Sequence, residues 1–374
     1  MSSRPQSVIT SIKPLIIATQ LTAFMLFSIN TKTWKAEVKK VNILIGFTSI
    51  CLSLLIHYIF WLTNLRFHSH GTEMTKNIMP LLVYCNIVTY TIIKIWNFFN
   101  RQKIVDFLRQ IYEIDSKFKD LGINFNYKND RKLITKIILG MFALIIIGLA
   151  ISLSISIAFF RFSGISVTFL NLYLFACKSM LIFQLISAMI GIRRRFEAVN
   201  IFLVLAPNLK IQEIEILSEI HLMTTESIEM FNIVYGPAVL LFISLGFGWF
   251  CMFIFVAVMF PPIMWTKFIF VSLYNIIVNI ISFITVGIVF YYGESTKKEA
   301  RRTVKLLYKM IEDANCEKVE RKMQKMISQI CDMKVEFSCG LVDFNWKFFF
   351  KFVTAAIMYF IILVQFESSF DKNH

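Results

Sequence analysis

The chain has 374 residues, of which 57% are hydrophobic and only 17% charged, with a mean hydropathy of +0.65 and a formal net charge of +15. A soluble domain carries about 25% charged residues, so this composition argues against a cytosolic globular enzyme. With 13 Gly and 7 Pro the chain is neither disordered nor fibrous, and its positive charge lies between long apolar runs, where it reads as membrane topology rather than as nucleic-acid affinity.

Residues 1–40 form an N-terminal segment. Its apolar stretch, 14–29, is interrupted by Gln20 and Thr22, and no cleavage site follows. It reads as interfacial or re-entrant, with an eighth span as the alternative. A bilayer core needs about 20 mostly apolar helical residues. Seven runs qualify: 41–62, 77–100, 133–160, 166–191, 233–260, 268–292 and 348–366. Pro261-Pro262 ends the fifth. The predicted fold class is an all-α membrane protein of seven spans.

Basic clusters at the span edges set the orientation. Lys35, Lys39 and Lys40 precede span one, Arg193-Arg194-Arg195 follow span four, and Lys297, Lys298, Arg301 and Arg302 follow span six. These edges are predicted to be cytoplasmic, which puts the N-terminus inside and the C-terminus outside. The seven cysteines include no C-x-x-C pair, so neither a disulfide framework nor structural zinc is expected.

Between the spans, segment 211–231 places Ile214, Leu217, His221, Thr224, Ile228 and Phe231 at steps of three and four. Segment 299–314 adds Val304, Leu307 and Met310 or Ile311. Segment 318–337 is more regular, with Val319, Met323, Met326, Ile330 and Met333 at alternating steps of four and three. These are amphipathic helices. The seam packs either within the chain or, as the sharper expectation, against the same seam of other subunits. The expected organisation is the N-terminal segment 1–40, a six-span helical bundle 41–292 with helical links, cytoplasmic helices 293–346, and a seventh span with a short tail, 347–374.

Catalytic readings find little support. His68-Ser69-His70 offers two metal ligands and no third nearby, and no Ser–His–Asp set, phosphate loop or metalloprotease pair can be assembled. No enzyme activity, metal or cofactor is expected. Seven spans suggest a G-protein-coupled receptor, but that class keeps its N-terminus outside, and the Asp-Arg-Tyr and Asn-Pro-x-x-Tyr signals are absent.

The last span reads Tyr359, five apolar residues, then Gln365-Phe366, preceded by Met358. Upstream lies Phe337-Ser338-Cys339-Gly340 and then Asp343. This resembles the insect gustatory receptor family, whose signature is Thr-Tyr, five apolar residues and Gln-Phe at the end of span seven. Met358 stands where the family has Thr. The resemblance implies a homotetrameric, ligand-gated cation channel in the plasma membrane of a sensory neuron, related to the insect odorant receptors. It implies a small-molecule tastant, permeant monovalent and divalent cations, membrane lipids and sister subunits as partners. It also implies a central pore lined by the last span, cytoplasmic helices that hold the subunits together, and an outward-facing pocket among spans two, three, four and six.

Residue by residue, Tyr359, Ile362, Phe366 and Phe370 share one helix face, which would form apolar rings around an axis. Gln365 is polar late in an apolar helix and suits a gate or a helix contact. Glu367 and Asp371 would ring the outer mouth and attract cations. Lys347 and Lys351 would repel cations from the inner end, so they are expected to face headgroups, away from the axis. The pocket candidates are Tyr84, Asn86, Ser152, Ser156, Asn171, Tyr173, Tyr274 and Asn275, with Trp249 in span five, where aromatics and amides suit a small organic ligand. Lys178, in the middle of span four, should face a partner, a cavity or an interface.

Overall fold

The computed structural model describes residues 8–21, 27–29, 36–64, 73–125, 127–155, 161–206, 209–259, 269–312 and 316–370; within the helices some side chains lie outside the described set. The described residues form helices α1 (Val8–Leu21), α2 (Lys40–Asn64), α3 (Glu73–Phe99), α4 (Arg101–Asp120), α5 (Tyr127–Ile155), α6 (Arg161–Leu205), α7 (Ile211–Met259), α8 (Ile269–Glu312), α9 (Glu317–Asp332) and α10 (Trp346–Phe370). The two short strands β1 (Ser28–Ile29) and β2 (Ala36–Glu37) pair antiparallel. Helix occupies most or all of each of the seven apolar runs. Two described segments, Tyr173–Leu205 and Ile211–Cys251, are long and apolar enough to cross a membrane.

Helix α1 has 14 residues, a rise of about 21 Å against the roughly 30 Å of a bilayer core. Its Leu15 packs on Ile138 of α5 and on Met180 and Phe183 of α6.

Helices α6, α7 and α8 run 45, 49 and 44 residues without a break. Each carries its apolar run directly into a polar segment, so the boundary expected at 292/293 falls inside one continuous helix. At the polar end these helices pack together with α4 and α9. Helix α4 was not anticipated. It buries Ile104, Val105, Phe107, Leu108, Ile111, Ile114 and Phe118, a repeat of threes and fours within a strongly charged segment.

The seam of α9 needs a correction. Met323, Met326 and Ile330 are 2%, 1% and 7% exposed, and the helix packs on α7 and α8 of the same chain. Those side chains are already covered within one subunit, so they are not available to join subunits. Val319 and Met333, at the ends of the seam, are only partly covered.

Polar groups inside this end are paired with care. Asp115 of α4 accepts from Arg195 of α6 at 2.7 Å and from the Tyr127 hydroxyl of α5 at 2.5 Å. Both charged side chains are about 95% covered, at 5% and 4% exposure. The Arg195 guanidinium also donates to the Gly191 carbonyl and lies over the Phe125 ring. Asn200 of α6 bonds Glu299 and accepts from Thr303, both on α8. His221 of α7 differs, with both of its ring nitrogens left over. It lies ahead of the apolar run that begins near 233, is fully buried, and packs on Phe196 with ring centroids 4.9 Å apart. Neither ring nitrogen has a hydrogen-bond partner of normal geometry, although the Ala300 backbone lies close enough to favour its proton slightly. Burial pushes its pKa down to about 4.

Two outcomes follow. Arg195→Met strands a buried carboxylate and should cost about 3–5 kcal/mol, whereas the double variant Arg195→Met/Asp115→Leu should recover most of that loss in thermal unfolding of the purified protein. For His221, the unfolded chain takes up a proton near its ordinary pKa of about 6.5, while the folded chain resists until about 4. Stability should therefore be level above about pH 6.5 and fall between there and pH 4 by about 3 kcal/mol. His221→Leu should flatten that part of the pH profile, and an unchanged slope would assign the acid sensitivity elsewhere.

Candidate functional site: the last helix, its connector and the polar cluster on Tyr173

The last helix is reached through a short connector, residues 333–345. Its centre is a tight hairpin: Phe344 N–H donates to Phe337 O at 2.8 Å, Cys339 N–H donates to Val342 O at 3.0 Å, and Gly340 holds a φ of +85° at the tip. A residue with a side chain adopts that φ only at a cost. Asn345 then caps α10, its Oδ1 accepting from Phe348 N–H at 2.9 Å.

The connector is seated on α7 and α8 by backbone approach. A Cβ on Gly236 of α7 would lie 3.1 Å from the Cys339 Cα and from the Ser338 carbonyl oxygen. A Cβ on Gly293 of α8 would lie 2.5 Å from the Phe344 carbonyl oxygen, inside any tolerable contact. Asn232 of α7 grips the hairpin with both ends of its amide, donating to Glu336 O and accepting from Ser338 N–H, each at 2.9 Å. Phe337 meets Phe231 edge-on at 4.9 Å, and Phe344 meets Phe290 at 6.0 Å. Glu336 pairs with Lys297 of α8 and with Lys334 at 2.8 Å. These two ammonium groups, Lys297 first, hold its carboxyl down to about 2.

Helix α10 buries one side and leaves the other uncovered. Phe349, Phe352 and Ala356 are packed against α7 and α8. Phe349 touches Phe283 and Phe290, Phe352 touches Phe247, and the Cys251 thiol donates to Ala356 O at 3.7 Å. Of the pore candidates, Ile362 and Gln365 are exposed, and Tyr359 is exposed while its ring edge meets Phe247 at 5.5 Å. The side chains of Phe366, Glu367 and Phe370 and the whole of Asp371 lie outside the described residues.

Among the pocket candidates, Asn86 is buried, and Tyr84, Tyr173 and Trp249 are half-buried. The side chains of Ser152, Asn171, Tyr274 and Asn275, and Ser156 altogether, lie outside the described residues. The Tyr173 hydroxyl of α6 is joined by Lys94 of α3 and lies 3.2 Å from the Ser53 hydroxyl of α2. Lys94 Nζ also donates to Ser49 at 3.0 Å and to Ser53 at 3.2 Å. Three helices thus meet on one ammonium group, which the sequence reasoning did not single out. The signal was available, because Lys94 interrupts an apolar run just as Lys178 does. Lys178 faces the Phe242 ring of α7, 5.6 Å from its centroid, a cation–π contact.

Long helices that continue from apolar into polar segments, with an aromatic-packed terminal helix, are the layout of a helical membrane protein. A family profile described as 7tm Chemosensory receptor matches residues 12–370, and the chain belongs to that family, which is one of receptors rather than enzymes. The fold is also that of the insect olfactory receptor OR5 from Machilis hrabei, with a TM-score of 0.73 at 10% identity over 95% of this chain and 97% of that one. The same receptor in complex with eugenol gives a TM-score of 0.72 at 11% identity, with the same coverage. No curated protein matches in sequence.

The connector's seating makes one expectation sharp. Gly293→Ala must push the Phe344 backbone away and should cost about 1–3 kcal/mol, read as a lowered melting temperature of the purified protein. Gly246→Ala, where an added Cβ meets nothing within 4 Å, is the control and should leave the melting temperature level or raise it.

Proposed function

We propose that the chain is a gustatory receptor that works as a ligand-gated, non-selective cation channel, four copies surrounding one pore. The observation that carries this is helix α10. It bears the Tyr, five apolar residues, Gln-Phe pattern at its end. One side is packed by aromatics onto α7 and α8, and the other is uncovered over most of its length. In this reading the chain crosses the plasma membrane of a sensory neuron seven times, N-terminus inside, and the polar-end helices are cytoplasmic. The tastant is a small organic molecule held near Tyr84, Asn86 and Tyr173, in keeping with the relative solved with eugenol. Gln365 and Phe366 form the gate, Glu367 and Asp371 the outer mouth.

The deciding experiment is whole-cell recording from cells that express only this chain, challenged with sugars, bitter alkaloids and phenolic compounds. A ligand-evoked cation current supports the channel. A response that requires a G protein, with an N-terminus labelled from outside, supports the coupled-receptor alternative, which the family does not favour.

Magnitudes constrain the gate. Raising the open fraction from about 1% to about 50% takes a bias of about 2.7 kcal/mol, or about 0.7 kcal/mol per subunit. Phe366→Ala removes a side chain worth roughly 1.5–3 kcal/mol if fully buried, and four such losses exceed the whole bias. Phe366→Ala should therefore conduct without ligand, and Gln365→Ala should do so less strongly. A Phe366→Ala protein that reaches the surface, stays silent and responds normally would place the gate elsewhere.

A further inference from the structure

The uncovered side of α10 carries a regular stripe. Lys347, Lys351, Thr354, Met358, Ile361 and Gln365 follow one another at steps of four, three, four, three and four, and all six are exposed. This is the spacing of a seam that faces copies of itself across an axis. The opposite side, Phe349, Phe352, Val353, Ala356, Phe360 and Val364, is buried or half-buried in the chain. The stripe is not apolar throughout, as a lipid-facing stripe is between its ends. Polar positions occupy both ends, and Thr354 lies inside the first of them, its Oγ1 donating back to Phe350 O at 3.0 Å. Met358 and Ile361 form the apolar middle. Polar side chains on a spanning helix line water-filled paths.

We propose that Lys351, carried by this stripe toward the ion path, sets the preference for monovalent over divalent cations. The inference rests on the channel reading above and refines it. Of the face expected from sequence, Tyr359 forms one edge of the uncovered side, whereas Ile362 and Lys351, eleven residues apart, lie inside it within about 20° of one another. The expectation that Lys351 turns away from the axis is thereby reversed. Four ammonium groups about 8 Å from a permeating ion, screened by physiological salt, disfavour a divalent relative to a monovalent ion by about threefold. A ring of this kind lowers cation conductance without abolishing it, since the acidic outer mouth attracts the same ions.

The test uses the full-length purified protein in planar bilayers, with calcium on one side and sodium on the other, and reads the permeability ratio of its unliganded openings. Lys351→Gln should raise the calcium-to-sodium ratio by about threefold, and Lys351→Arg should leave it unchanged. In parallel, Thr354→Cys in lipid nanodiscs is treated with a charged methanethiosulfonate or a hydrophobic maleimide, and the modified peptide is identified by mass. Labelling by the charged reagent supports a water-facing stripe. Labelling by the hydrophobic reagent alone means the stripe faces lipid and overturns the inference. A conducting Lys351→Gln channel with an unchanged ratio overturns it as well, while leaving the channel reading intact. A wild-type protein that never conducts overturns the channel reading itself.

Discussion

The position of the last helix depends on two places where backbone meets backbone with nothing between. At Gly293 the connector comes closer to α8 than any side chain permits, and at Gly236 it leaves α7 room for a side chain only if the hairpin gives way. Such contacts have no soft degree of freedom, because neither partner can rotate out of the way. The Asn232 amide then fixes the register by bonding both a carbonyl and an N–H of the hairpin. The Lys297–Glu336–Lys334 group adds charge-assisted bonds at its edge. Helix α10 starts directly from this seat, with Asn345 as its cap. Its direction is therefore set by α7 and α8 before any of its own side chains pack.

The same helices that hold the connector also reach into the apolar region, and that continuity matters mechanically. Helix α8, 44 residues with no proline inside it, is a stiff rod, and tilting one end moves the other. The polar ends are cross-linked by bonds that lose much when broken: Asp115 with Arg195 and Tyr127, and Asn200 with Glu299 and Thr303. A buried pair of this kind contributes little against a well-packed apolar substitute, yet removing one partner is strongly destabilising. Asp115 thereby ties α4 to α5 and α6 at one point.

Much of the helical layout was legible in the sequence, because apolar runs of bilayer length admit few alternatives. The C-terminal pattern around Tyr359 and Gln365 likewise identified the family. The misses have separate physical causes. Helix α4 repeats apolar residues as regularly as the segments that were recognised, but its high charge drew attention to topology instead. The α9 seam from Met323 to Ile330 was read correctly as a helix and assigned to the wrong partner. Periodicity states that a face is buried and is silent on whether the cover belongs to the same chain. Lys94 escaped because its partners, Ser49, Ser53 and Tyr173, lie on helices distant in sequence. The Gly236 and Gly293 seats could not be read from one sequence, since a glycine in a helix is ordinarily just a weak position.

These features together address a difficulty of scale. In the proposed channel each subunit contributes under about 1 kcal/mol to opening, less than the burial of a single large apolar side chain. So small a bias reaches a distant gate only if the parts between do not absorb it by local adjustment. A flexible linker ahead of α10 would do just that, dissipating helix motion in its own torsions. The connector instead joins backbone to backbone at Gly293, clamps itself through Asn232, and caps the next helix with its last residue. Displacement of α7 against α8 therefore shifts the foot of α10 as a unit. The cost of this design falls at the glycines, where no substitution is free, and in the proposed channel the gain is a gate that responds to energies far smaller than those holding the fold together.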